Sequence, residues 1–201
     1  MTVDTNPYAA PDSDLLLKTP GTFNQRFYVV SPLKFLVLYF GTLSLYDIFW
    51  VYKHWTQFKR ATKGDQWPVM RTLFPVFFIH SLAEEIDHTL RRNNVQHAWH
   101  PGLFSAMVVI LMIAGRILDR LGAADIGSPF TDILGMLTIF ATGYFQYRIQ
   151  CAANAACGDP EGNTNKNFTA ANFAWLAFGC LFWLLSLAGI YILLNPSAFS
   201  E

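Results

Sequence analysis

From Phe173 to Leu194 the chain runs for 22 residues without a single charged side chain. A helix needs ~20 apolar residues to cross ~30 Å of hydrocarbon, so this run is long enough to span a bilayer. It must be helical if it does, because an isolated strand in lipid leaves its backbone N–H and C=O groups unpaired. Three further stretches are apolar enough to join it, at about 35–52, 102–118 and 130–148. Only 14% of the residues are charged, against about 25% in an ordinary soluble domain. The chain therefore lacks the polar groups to cover a water-facing surface of its size. The expected fold is all-α: a polytopic transmembrane helical bundle of about four spans, plus an interfacial amphipathic helix.

Residues 1–27 read as a disordered tail, with turn-rich Asn6-Pro7-Tyr8 and Thr19-Pro20-Gly21 and no apolar period. They lack the basic and apolar regions of a secretory signal. Residues 28–201 form the membrane domain. Between its first two spans, the amphipathic segment 53–101 carries Lys53, Lys59, Arg60, Lys63, Arg71, Arg91 and Arg92. The positive-inside rule puts this segment in the cytoplasm and both termini outside. A fifth span at 67–83 would reverse that and hold Arg71 and Pro75; the charge pattern argues against it. A re-entrant hairpin at 35–52, turning near Gly41, would instead place the N-terminus inside, and that alternative stays open. Trp50, Trp55, Trp99 and Trp175 all fall at the expected cytoplasmic interface, where amphipathic rings settle. Within 76–92, Val76, Ile79, Ala83, Ile86 and Leu90 share one helix face, and Glu84, Asp87, His88 and Arg91 another. Pro75 should break that helix from what precedes it. Cys151, Cys157 and Cys180, odd in number and irregularly spaced, read as free thiols.

Residues Thr42-Leu43-Ser44-Leu45-Tyr46-Asp47-Ile48-Phe49-Trp50-Val51-Tyr52-Lys53 resemble the Thr-Leu-x-x-Tyr-x-x-Phe/Tyr-Trp-x-Tyr-Lys signature of bacterial membrane-domain families of unknown function. Ser44 stands where these families usually carry Gly. The Asn6-Pro7-Tyr8-x-x-Pro11 tail and the loop from Asn154 to Asn172 also look like segments of small bacterial membrane proteins. The resemblance implies a multi-pass protein of the inner (plasma) membrane and carries over no activity.

Four potential metal ligands, His80, Glu84, Asp87 and His88, fall on one face of the 76–92 helix, and Glu85-x-x-His88 has the spacing of di-iron carboxylate bundles. That chemistry needs a second such motif, which is absent from the sequence. The bland reading is an interfacial helix with Asp87–Arg91 and Glu84–His88 pairs. Charges within or beside spans are functional candidates: Asp47, Arg116, Asp132 and Arg148. Arg116 and Asp132 lie equidistant from the loop between the second and third spans, which predicts a pair there; Asp47 should sit level with Gln146 and Arg148. Lys53, Trp55, Lys59, Arg60 and Lys63 form a basic juxtamembrane segment suited to anionic headgroups. The Asp159–Asn165 loop reads as a polar turn. Gly179, Ser186 and Gly189 give the last span a small-residue face for helix contact.

No P-loop, dinucleotide-binding glycines, HExxH or Ser-His-Asp set occurs, so neither cofactor nor catalytic residue is assigned. Zero net charge argues against nucleic acid. Expected partners are membrane lipids and a second copy or another membrane protein. The sequence is read first as a non-enzymatic accessory or structural membrane component contacting lipid or a partner, with a small transporter or channel subunit as the alternative and a metal-dependent membrane enzyme as the second alternative.

Overall fold

A computed structural model describes residues 25–195; the 1–24 part of the expected tail lies outside the described residues. All the described regular elements are helical: α1 (Pro32–Gly41), α2 (Tyr46–Thr62), α3 (Pro68–Leu73), α4 (Pro75–Arg92), α5 (Pro101–Gly122), α6 (Phe130–Ala156), a 3₁₀ turn at Asn163–Asn165, and α7 (Ala170–Leu194).

The stretch 35–52 is not one helix. It breaks at Thr42–Leu45 and folds back, so α1 and α2 form a hairpin. Phe27 stacks on Phe58 and Phe35 packs against Trp50, which puts the start of α1 beside the far part of α2. The turn therefore follows Gly41, and residues 27–30 lie at the same end of the molecule as the basic segment. The break is made by the backbone. Leu43 and Ser44 adopt φ values of 48° and 66°, and the Thr42 hydroxyl accepts the Tyr46 N–H to start α2. Left-handed φ costs an L-residue roughly 1–2 kcal/mol, a cost that glycine at position 44 would not carry. Ser44→Gly should recover part of that cost, about 0.5 kcal/mol net of glycine's own entropy penalty. A melting temperature in detergent that falls on this substitution would contradict the assignment of strain to Ser44.

The second break comes at Phe74–Pro75. Pro75 starts α4 and lacks the N–H a continuous helix would need. α3 folds back on α2, where the Arg71 guanidinium lies 3.9 Å from the Trp55 ring. α4 buries Ile79, Ala83, Ile86 and Leu90 of the expected apolar face, with Leu82 beside them and Val76 only half-buried, and exposes Glu84, His88 and Arg91. α5 and α6 are antiparallel neighbours. α7 rests chiefly on α1: Trp183 Nε1 donates to the Phe40 carbonyl at 2.7 Å, and Gly179 lies against the Gly41 backbone with no room for a side chain.

The buried core is gathered at one end, around the second half of α6, where Ile149, Ala152 and Ala153 are fully buried among α1, α2 and α4. Trp50, Trp55 and Trp99 belong to this core, at 0%, 1% and 8% exposure, so they do not form an interfacial belt; of that set Trp175 is the exposed one. Their indole N–H groups and flat faces are used inside the protein instead: Trp50 and Trp99 donate to side chains and Trp55 carries Arg71.

Toward the other end the helices turn apolar side chains outward. Two helices, α5 and α7, are long and apolar enough to cross a membrane, and their most apolar windows are only 17% and 6% buried. A helix from a soluble core would be mostly buried.

Candidate functional site

The site begins with a polar stripe on α6. Thr138, Thr142, Gln146, Gln150 and Asn154 follow at four-residue intervals. Each step advances about 40° around the helix, so the stripe winds slowly from one neighbour to the next. Its Asn154 end holds the start of the hairpin. Asn154 Nδ2 donates to the Val30 carbonyl at 2.8 Å, and its Oδ1 accepts the Val30 N–H at 3.3 Å. Gln150 Nε2 donates to the Tyr28 carbonyl and to Asn154 Oδ1. Both amide hydrogens are then used, so Gln150 Oε1 is the acceptor for Trp50 Nε1 at 2.5 Å and for His54 Nε2 at 3.2 Å. That fixes His54 as the Nε2–H tautomer. Its Nδ1 is buried without a partner.

Burial pushes the His54 pKa down to about 3 from 6.5, and the hydrogen bond to Gln150 only partly opposes this. The folded state therefore holds His54 neutral, while the unfolded chain takes up a proton below pH 6.5. Stability should be fully present above that pH and decline as pH falls, by about 1.4 kcal/mol per unit from this group. Melting at pH 7 and pH 5 tests this: His54→Gln should flatten the slope by about 2 kcal/mol over that range. An unchanged slope would mean His54 is not held neutral.

The stripe continues into a cavity. Gln146 Nε2 donates to Asp47 Oδ1 at 2.8 Å, at the first turn of α2, so Asp47 and Gln146 do sit level. Beyond this bond lies a cavity of about 460 Å³ between the hairpin turn, α5 and α6, with Ser186 of α7 on one wall. Its charged lining is Asp47, Arg116, Asp119 and Asp132, and its hydroxyl-bearing residues are Tyr39, Ser44, Thr138, Thr142 and Ser186. Close approach of α5 and α6 puts the carboxylates there. Gly122 lies against the Asp132 carboxylate and Gly115 against the Thr138 hydroxyl, with no space for a Cβ at either place. Arg116 and Asp132 share the cavity, but the expected ion pair is not formed: among the described residues the ion pair is Asp87–Arg91, at 2.8 Å. One Asp132 oxygen is buried with no hydrogen-bond partner.

Asp119 is the lining residue that the sequence did not suggest. It falls past the apolar run of α5, but three residues beyond Arg116 it shares that residue's face.

The other candidate residues go elsewhere. Among the described residues no three His, Cys, Asp or Glu side chains come together as a metal site. His80 Nδ1 lies 2.6 Å from the Ser105 hydroxyl, Asp87 binds Arg91 and Trp99, and Glu84 and His88 are exposed. The ligand face is thus divided between neighbours. In the basic segment Trp55 is in the core, a correction to its expected headgroup contact. Lys53 and Lys59 are partly exposed, and Arg60 and Lys63 fully so. Arg148 donates to the Ala98 carbonyl and the Tyr144 hydroxyl at the basic end, away from the cavity. Asp159 is consumed by its own loop, accepting from the Asn163 and Thr164 N–H groups and the Thr164 hydroxyl. Burial alone would raise its pKa, but these hydrogen bonds outweigh it and hold the carboxyl below its ordinary range.

No protein-family model, curated protein or solved structure matches the chain.

Proposed function

We propose that this is a multi-pass protein of the inner (plasma) membrane acting as a small transporter or channel subunit, and that its cavity takes a small cationic solute. The bilayer would surround α5, the first two-thirds of α6, and α7. The hairpin bases, with Lys53, Lys59, Arg60, Lys63, Arg91 and Arg92, would face the cytoplasm, as their positive charge favours. α1–α2 and α3–α4 would then be two hairpins entering from that side without crossing.

The observation that carries the reading is the hairpin break. Irregular backbone at membrane depth is tolerated where it is buried in protein or lines a polar cavity, and broken helices with ion sites are a recurring transporter device. Here Leu43, Ser44 and Asp47 open onto a cavity with three carboxylates against one guanidinium. That balance favours a cation by local field. Arg116 and Asp119 are exposed and Asp47 and Asp132 half-buried, so the charged wall is open to a solute entering from that end.

The test is uptake of radiolabelled methylammonium into proteoliposomes. Saturable uptake above protein-free vesicles supports the proposal. Uptake equal to those vesicles would leave the accessory reading standing.

A further inference from the structure

A second cavity, of about 740 Å³, lies on the opposite side of the hairpin, between α2, α3 and α7. Its wall is apolar along most of its length, with Phe49, Leu73, Trp175 and Phe178, and it carries Lys34 and Lys53 at one end. No Asp or Glu lines it. Lys34 is only 2% exposed. Its ammonium donates to Asn165 Oδ1 and to the Asn167 carbonyl, both at 2.7 Å. An ammonium has three donors and no acceptor, so one donor remains beside the Phe168 ring, whose centroid is 5.9 Å away, and among the described residues neither Lys34 nor Lys53 has a carboxylate partner. Lys53 Nζ contacts the Phe49 ring, at 5.3 Å from its centroid. A buried cation without a counter-charge is a standing cost that an anionic ligand would remove.

We infer that this groove holds one anionic phospholipid, with its phosphate between Lys34 and Lys53 and an acyl chain along the apolar wall toward Leu45 and Leu73. The inference rests on the membrane placement proposed above. Its dimensions agree with that placement. Lys53 stands eight residues from Leu45, about 12 Å along the helix axis, close to the roughly 15 Å depth of one leaflet. The lysines lie at the basic end, which faces the leaflet where anionic lipids attract juxtamembrane cations.

The experiment is native mass spectrometry of the full chain in mild detergent, delipidated and then offered phosphatidylglycerol or phosphatidylcholine with identical acyl chains. The expected result is one bound phosphatidylglycerol per chain, with roughly a tenfold preference over phosphatidylcholine, the size that one or two basic contacts supply. Lys53→Gln should remove most of that preference. Among the described residues its ammonium bonds to no oxygen, so the fold is not at stake, as it is with Lys34→Gln. Lys59→Gln, outside the groove, should change nothing. Equal binding of the two lipids would overturn the inference. So would an equal effect of Lys59→Gln, which would mean diffuse attraction, or displacement of the lipid by millimolar inorganic phosphate, which would mean a site for the free anion. The readout does not depend on solute uptake, so uptake without lipid preference would count against the groove alone.

Discussion

Asp47→Asn is expected to raise the KM for methylammonium uptake by about tenfold to a hundredfold, the equivalent of the roughly 1.5–3 kcal/mol that a charged contact supplies. The substitution is nearly isosteric, and an asparagine oxygen can still accept from Gln146 as Asp47 does now. The hairpin should therefore stay in place and the melting temperature should hold within a few degrees. What is removed is the charge on α2 nearest the hairpin break. Asp132→Asn should act in the same direction from the other wall of the cavity. Arg148→Gln, at the basic end, should leave KM unchanged. An Asp47→Asn protein with wild-type KM would separate Asp47 from the solute and leave its contact with Gln146 as merely structural.

Gln150→Leu is expected to be the most damaging single substitution of comparable size. Gln150 accepts from Trp50 and His54 and donates to Tyr28 and Asn154, all in or beside the core. Leucine matches its bulk and makes none of these bonds. Each buried partner left unpaired costs about 1–3 kcal/mol, and the apolar side chain returns part of that. A net loss of about 3–5 kcal/mol follows, or a melting temperature lower by roughly 10 °C or more in a chain of this length. A change of only a degree or two would mean that water or rearranged neighbours satisfy the same groups, and that the polar ladder does not hold the hairpin to α6.

These two residues also show what the sequence makes legible. Counting residues puts Asp47 level with Gln146 but takes 35–52 as one span, and on that basis places Asp47 and Arg116 at opposite faces, whereas the hairpin brings both to one cavity. Most of the buried face of α4 follows from the 3.6-residue period. The all-α class follows from hydropathy. The break at Leu43–Ser44 is half legible: a hairpin turning near Gly41 stands as an alternative to a single span, but residues 35–52 are mostly apolar and contain no proline to decide between them. Two left-handed backbone conformations make the break, and a window average is blind to them; Gly41 and the unusual Ser44 are the nearest signals. Burial of Trp50 and Trp55 is equally hidden, since indole suits an interface and a core alike and only Gln150 and Arg71, distant in sequence, decide between them. The α6 stripe is written as polar residues at four-residue spacing, but averaged with the isoleucines, phenylalanines, tyrosines and alanines between them they vanish into an apolar run. Asp119 was hidden by its place after that run, although helix geometry puts it beside Arg116.

The central claim is that the hairpin turn, reached from the basic end by its own chain, opens to the opposite face through the carboxylate cavity. The direct measurement is modification of a Ser44→Cys variant, with Cys151, Cys157 and Cys180 replaced by serine, using a cationic, membrane-impermeant thiol reagent on sealed vesicles of each orientation. The account predicts modification from the face carrying the 123–129 loop, slowed by methylammonium. Modification only from the face carrying Lys59, Arg60 and Lys63, or none from either face, would contradict it.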